Sequence, residues 1–160
     1  MVEKDIEMMH KAFKELDPEL HIGITYLTLN KNTNVKLFCE DKNTNNLSNC
    51  PPGTIIQDQI TSQTHKDFYL ISQKTRPGVL AQPTHYYIAY DDKGVVETDV
   101  HLLVYKLCYL YYNFSGASRI PAPCLNVKKL LRLITEKVSD NNNTTIPSDP
   151  FKSLKGLYYL

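Results

Sequence analysis

Three β-rich runs constrain this chain most: TIIQDQI (Thr54–Ile60), DFYLISQ (Asp67–Gln73) and HYYIAYDD (His85–Asp92). β-branched and aromatic side chains crowd each run, and such residues suit the pleated, half-buried surface of a sheet. The connector between the last two, KTRPGVLAQPT, is too rich in Pro and Gly for a regular element. Two more candidate strands lie upstream, LHIGITYLTL and VKLFCE, separated by the polar turn NKNTN. The Asn-rich stretch DKNTNNLSNCPPG reads as a loop throughout.

Helical periodicity brackets these strands. Ile6, Met9, Phe13 and Leu16 recur at helical spacing until Asp17-Pro18 stops the pattern. Thr98 and Asp99 are good N-cap residues for VHLLVYKLCYLYY, whose apolar residues on all sides predict a helix buried on most faces. A last helix is expected after Pro121-Ala122-Pro123, with Val127, Leu130, Leu131, Ile134 and Val138 on one apolar stripe. Beyond it, SDNNNTTIPSDP reads as a flexible polar insertion, and LKGLYYL as an apolar ending that docks. Strands followed by two long helices imply an α/β domain.

Length and charge set the outer limits. A chain of 160 residues can bury one real core. The net charge of +1 does not by itself select a polyanionic partner, but Arg119 to Lys137 is locally basic, with Glu136 its single acid. Cys39, Cys50, Cys108 and Cys124 form no C-x-x-C pair, so reduced, mostly buried thiols are expected rather than a zinc site. The charged, helical start is unlike a secretory signal, and no apolar run reaches membrane-spanning length. The reading is a soluble intracellular protein, cytoplasmic or nuclear, with no membrane partner.

Few residues carry chemistry on their own. Asp91-Asp92 in DDKG reads as turn chemistry, His85 as a structural histidine, and Cys124 lacks a histidine placed by sequence to activate it. Contact with a polyanion has more support. Lys31 and Lys36 flank the turn between two strands, while Lys128 and Arg132 share one helix face at i, i+4 beside Lys129. A nearby helix N-terminus adds a field favourable to phosphate. The alternative for these lysines is an ordinary solvated helix face.

In their order along the chain, PPGTIIQDQIT, DFYLISQ, PTHYYIAYDD, VYKLCYLYYNFSG, RIPAPC and the terminal LYYL resemble the carboxy-terminal half of the PIWI domain of Argonaute proteins. YKLCYLYYNFSG and PAPC are most similar to the Piwi subfamily. The likeness runs from about His21 to Leu133 and returns at the last four residues. It implies an RNase H-like fold, a mixed sheet flanked by helices. Residues 1–160 would form part of one such domain, with a polar insertion at about 139–153. It also implies small-RNA-guided nucleic-acid binding in RNA silencing, with a guide RNA and a target RNA as partners and proteins of silencing complexes beside them.

Active members of that family cleave the target with two divalent metals held by an acidic tetrad. The resemblance places the first three acids before this segment, so no cofactor is expected for the chain alone, and Mg²⁺ only if a preceding part completes the domain. The fourth tetrad position falls on Lys128, where an ammonium cannot ligate a metal but can contact a phosphate. RNA-contacting positions carry over to Lys31, Lys36 and Arg76, with Arg119 and Lys129 beside the guide and Leu160 as the terminal carboxylate near the guide 5′ phosphate. Asn32 and Gln82 stand where related members often have arginine. Two other readings remain at this point: a guide-dependent RNA endonuclease, and a non-catalytic protein-interaction module.

Overall fold

A computed structural model describes residues 2–19, 22–40, 46–62, 64–76, 78–92 and 97–140. The chain opens with α1 (Val2–Leu16), which has Glu3 and Asp5 in its first turn and Lys14 in its last, each opposing the helix dipole. Strands β1 (Thr25–Asn30), β2 (Phe38–Glu40), β3 (Leu47–Asn49), β4 (Thr54–Ile56), β5 (Asp67–Ile71) and β6 (Thr84–Asp91) follow. Helices α2 (Glu97–Leu107) and α3 (Ala122–Asp140) come last. The larger sheet has the order β1-β6-β5-β4, and β2 pairs with β3 in a separate hairpin. Every pairing among the described residues is antiparallel.

Strand alternation sorts the side chains into two layers. Phe68 lies opposite Tyr86, and Leu29 lies opposite Tyr86 on its other side. These residues, with Leu70, Ile55, Leu27 and Ile88, meet Val100, Val104 and Tyr105 of α2. The rings of Phe68 and Tyr86 stack with centroids 4.9 Å apart and planes 9° from parallel. On the opposite face Ile71 and Ile56 pack against Leu37, Cys50 and Ala81, so the β2–β3 hairpin and the loop before β6 cover that side. His85 stacks on Tyr69 on this second face and bonds through Nε2 to Asp67 Oδ2 at 2.6 Å.

Several elements differ from the sequence reading, each for a physical reason. β4 covers only the start of TIIQDQI, because Gln57, Asp58 and Gln59 are exposed and bend away where no strand lies beyond them among the described residues. The expected loop DKNTNNLSNCPPG contains β3, held by Phe38↔Asn49, Cys39↔Ser48 and Glu40↔Leu47. α2 ends at Leu107, where both the backbone N–H and the hydroxyl of Ser118 donate to the Cys108 carbonyl at 2.8 Å. That distant segment caps a helix the periodicity would have continued.

α2 is less buried than expected, and the apolar stripe of α3 is partly open. Leu102 and Leu103 on α2 are about half exposed, and so are Val127 and Leu131 on α3. From α2 the sheet face is covered by Val100, Val104 and Tyr105, with His101 edge-on to Phe68, and Leu102 and Leu103 lie off that face. On α1 Ile6 is buried, whereas Leu16 is 79% exposed. Pro123 lies inside the first turn of α3, where a missing N–H costs nothing; the Pro121 carbonyl accepts from Cys124 and Leu125. Residues 139 and 140 of the expected insertion belong to α3. The rest of that insertion, the LKGLYYL ending and Leu160 lie outside the described residues. Among the described residues no helix is long and apolar enough to cross a membrane.

Candidate nucleic-acid interface

The basic residues meet at the β1 edge of the sheet. β1 ends at Asn30, whose side-chain oxygen accepts the Asn32 N–H at 2.9 Å and turns the chain so that Lys31 projects at the tip. The Thr33 hydroxyl then donates to the Pro83 carbonyl at 3.0 Å, tying this turn to the start of β6. The Thr84 hydroxyl donates to the Arg119 carbonyl at 3.1 Å, and the Ser72 hydroxyl donates to the Ser118 carbonyl at 2.7 Å. The RIPAP segment is thereby fastened to β5 and β6. Arg119 closes the circuit by donating from Nη2 to the Lys31 carbonyl, joining residues 88 apart in sequence.

Lys128, on the second turn of α3, completes the group. The Lys31 ammonium is held below the ordinary lysine range, first by its side-chain contact with Lys128 and the repulsion between the two charges, then by slight burial and by the Arg119 charge. Three cations so close repel one another, and an oxyanion between them would relieve that repulsion. The Arg119 Nε is buried without a hydrogen-bond partner, so the guanidinium stem is embedded while Lys31 and Lys128 remain at the surface.

Not every expected residue joins this trio. Lys36 and Arg76 are exposed, Lys129 is half-buried, and no hydrogen bond or ion pair among the described residues links them to it. Arg132, expected to share a phosphate-facing surface with Lys128, instead pairs its Nε with Glu136 at 2.8 Å. The single acid of the basic stretch thus offsets one of its cations. Asp91 and Asp92 tie the end of β6 to β1: the Thr25 hydroxyl donates to Asp91 Oδ1 at 3.1 Å and the Asp92 N–H to the Ile24 carbonyl, while the rest of the expected DDKG turn lies outside the described residues. Burial pushes the Cys124 thiol up, which disfavours a thiolate nucleophile.

The donor set here does not suit a divalent cation. Its nearest groups are two ammoniums and a guanidinium, and none of them offers a lone pair while charged. Among the described residues no cluster of three or more His, Cys, Asp or Glu could hold a metal ion. The Arg119–Lys31 link escaped sequence reasoning because nothing local marks it. Its one trace was the placement of Arg119 directly before Ile120 and Pro-Ala-Pro.

Comparison with known proteins gives a consistent picture. Residues 1–139 match the Piwi domain family, a span that takes in α1 as well as the segments from His21 onward. The chain is 36% identical to Protein piwi of Drosophila melanogaster over 137 residues, covering 86% of this chain and 15% of that protein. It is 36% identical to Piwi-like protein Ago3 of Bombyx mori over 134 residues, covering 84% of this chain and 14% of that protein. The chain therefore spans about one seventh of the length of these relatives. Its structure superposes on the crystal structure of Drosophila Piwi with a TM-score of 0.64 at 31% identity, covering 82% of this chain and 18% of the other. A Kluyveromyces polysporus Argonaute with a guide RNA gives a TM-score of 0.65 at 20% identity, over 86% of this chain and 17% of the other, which speaks for the fold. The resemblance to Argonaute PIWI domains and the RNase H-like fold it implied both stand, and the chain belongs to the Piwi domain family.

Proposed function

We propose that this chain binds the backbone of a small guide RNA or of its paired target, and serves RNA silencing as part of a Piwi-type protein. The observation that carries this reading is the convergence of Lys31, Arg119 and Lys128 at one sheet edge of a Piwi-family fold. An Argonaute solved with a guide RNA and another solved with a guide DNA and target DNA share the fold, which supports a guided nucleic acid as the partner class.

In this role the trio holds a phosphate by charge. Arg119, anchored through Nη2 on the Lys31 carbonyl, fixes the turn, and the two ammoniums close on the anion. Such contacts fix the register of a strand and read no sequence; base pairing with the guide supplies specificity. Lys128 stands at the fourth tetrad position of the family and acts as a phosphate contact, not a metal ligand. Lys36 and Arg76 extend the same electrostatic field at longer range, and Lys129 adds to it from the flank of α3.

Fluorescence anisotropy with a labelled single-stranded RNA across a salt series tests this reading. Replacing Lys31 and Lys128 by alanine should weaken binding and flatten the plot of log affinity against log salt by about 0.7 for each phosphate no longer neutralised. RNA binding that ignores salt, or that the double variant leaves intact, would count against it.

A further inference from the structure

The sheet edge opposite the basic trio carries a second cleft. β4 pairs with β5 on one side and has no strand on its other side among the described residues. The Thr54 N–H is taken by the Pro51 carbonyl at 3.2 Å, so what this short edge offers is the backbone of Ile55 and Ile56 that does not face β5. α2 runs alongside, and between strand and helix lies a cleft of about 650 Å³. Gly53, Ile55 and Ile56 line it from the strand, and Leu102 and Tyr105 from the helix. Gly53, just before the strand, adopts φ +89°, and a Cβ built on it would stand 3.4 Å from the Tyr105 ring.

The chemistry of this cleft differs from that of the trio. Its lining includes no lysine or arginine. Asp58, just beyond the end of β4, is exposed and has no ion-pair partner among the described residues. Leu102, 49% exposed on the helix wall, has no packing duty in the core. A polyanion would meet a carboxylate and an apolar wall here. An extended polypeptide would meet the outward backbone groups left at Ile55 and Ile56, two apolar contacts and a carboxylate suited to a basic side chain.

We propose that the β4–α2 cleft takes an extended segment of a protein partner, added as a further strand on β4, with apolar side chains on Leu102 and Tyr105 and a lysine or arginine at Asp58. Strand pairing supplies affinity through backbone hydrogen bonds, and the alternate side chains that enter the cleft supply selectivity. This proposal is independent of RNA binding at the opposite edge.

The test is a selection of displayed linear peptides on the full chain, counter-selected on the Leu102→Glu variant. Peptides with alternating apolar residues and one basic residue should emerge, binding Leu102→Glu about tenfold or more weakly. Asp58→Lys should weaken them as well, and replacing their basic residue by glutamate should restore binding to that variant. N-methylation of alternate backbone amides of a selected peptide should abolish binding, since it removes the strand donors. Four results would overturn the proposal: no peptide that distinguishes wild type from Leu102→Glu, equal binding of the N-methylated peptide, selected peptides indifferent to the charge at position 58, or RNA affinity that falls on Leu102→Glu.

Discussion

Lys31 is the residue on which the local physics is most exposed to measurement. Its neighbours Lys128 and Arg119 disfavour the charged form, so the amine loses its proton at lower pH than an ordinary lysine. The sign has a direct chemical consequence: near pH 8 a larger fraction of Lys31 is the neutral nucleophile. Competitive acylation read by mass spectrometry should find Lys31 modified faster than exposed Lys36. Lys128→Ala should remove the excess by letting the Lys31 pKa rise, and added RNA should suppress it by stabilising the ammonium. As pH rises through the lowered pKa, RNA affinity should fall earlier than an ordinary lysine would dictate, and Lys128→Ala should move that loss to higher pH. Equal acylation of Lys31 and Lys36 would disprove the mutual repulsion of the trio.

At the scale of elements, the strands and helices differ in how far the chain announced them. β1, β5 and β6 were legible because Tyr, Ile, Leu and Phe crowd them and alternate between the two faces of the sheet. β3 was not, since Leu47-Ser48-Asn49 has the composition of a loop and becomes a strand only because Phe38–Glu40 lies opposite. The trio was half legible: each lysine could be picked out, but its meeting with Arg119 depends on a bond spanning 88 residues. Periodicity also overstated the helices, because it reports where apolar residues sit and not whether anything covers them.

Substitutions can separate the covered faces from the open ones. Phe68, 1% exposed between Tyr86 and His101, should cost about 3–5 kcal/mol when replaced by alanine. Leu131→Glu on the open side of α3 should change stability by less than about 0.5 kcal/mol, as surface positions do. Gly53→Ala should cost about 1–2 kcal/mol, because its φ of +89° strains any Cβ. The nearest Tyr105 atom would stand 3.4 Å from that Cβ, an ordinary contact, so trimming Tyr105 should not recover the loss. Urea denaturation at fixed pH measures all three.

On the scale of the whole molecule, the order β1-β6-β5-β4 puts the two candidate surfaces at opposite edges of one sheet. Lys31 follows β1, and the strand wall of the cleft is β4, so three strand spacings of about 4.8 Å separate Lys31 from that wall, on the order of 14 Å. Charges that far apart at a wet surface are screened by more than a Debye length at physiological salt. Between the edges, Phe68 and Tyr86 are locked in a close-packed stack that leaves little room for movement. The two sites should therefore act independently. In a cycle combining Lys31→Ala with Leu102→Glu, the effects on RNA affinity and on peptide affinity should each add to within about 0.5 kcal/mol. A coupling well above that value would mean that the sheet transmits a change between its edges, and that occupation of one surface alters the other.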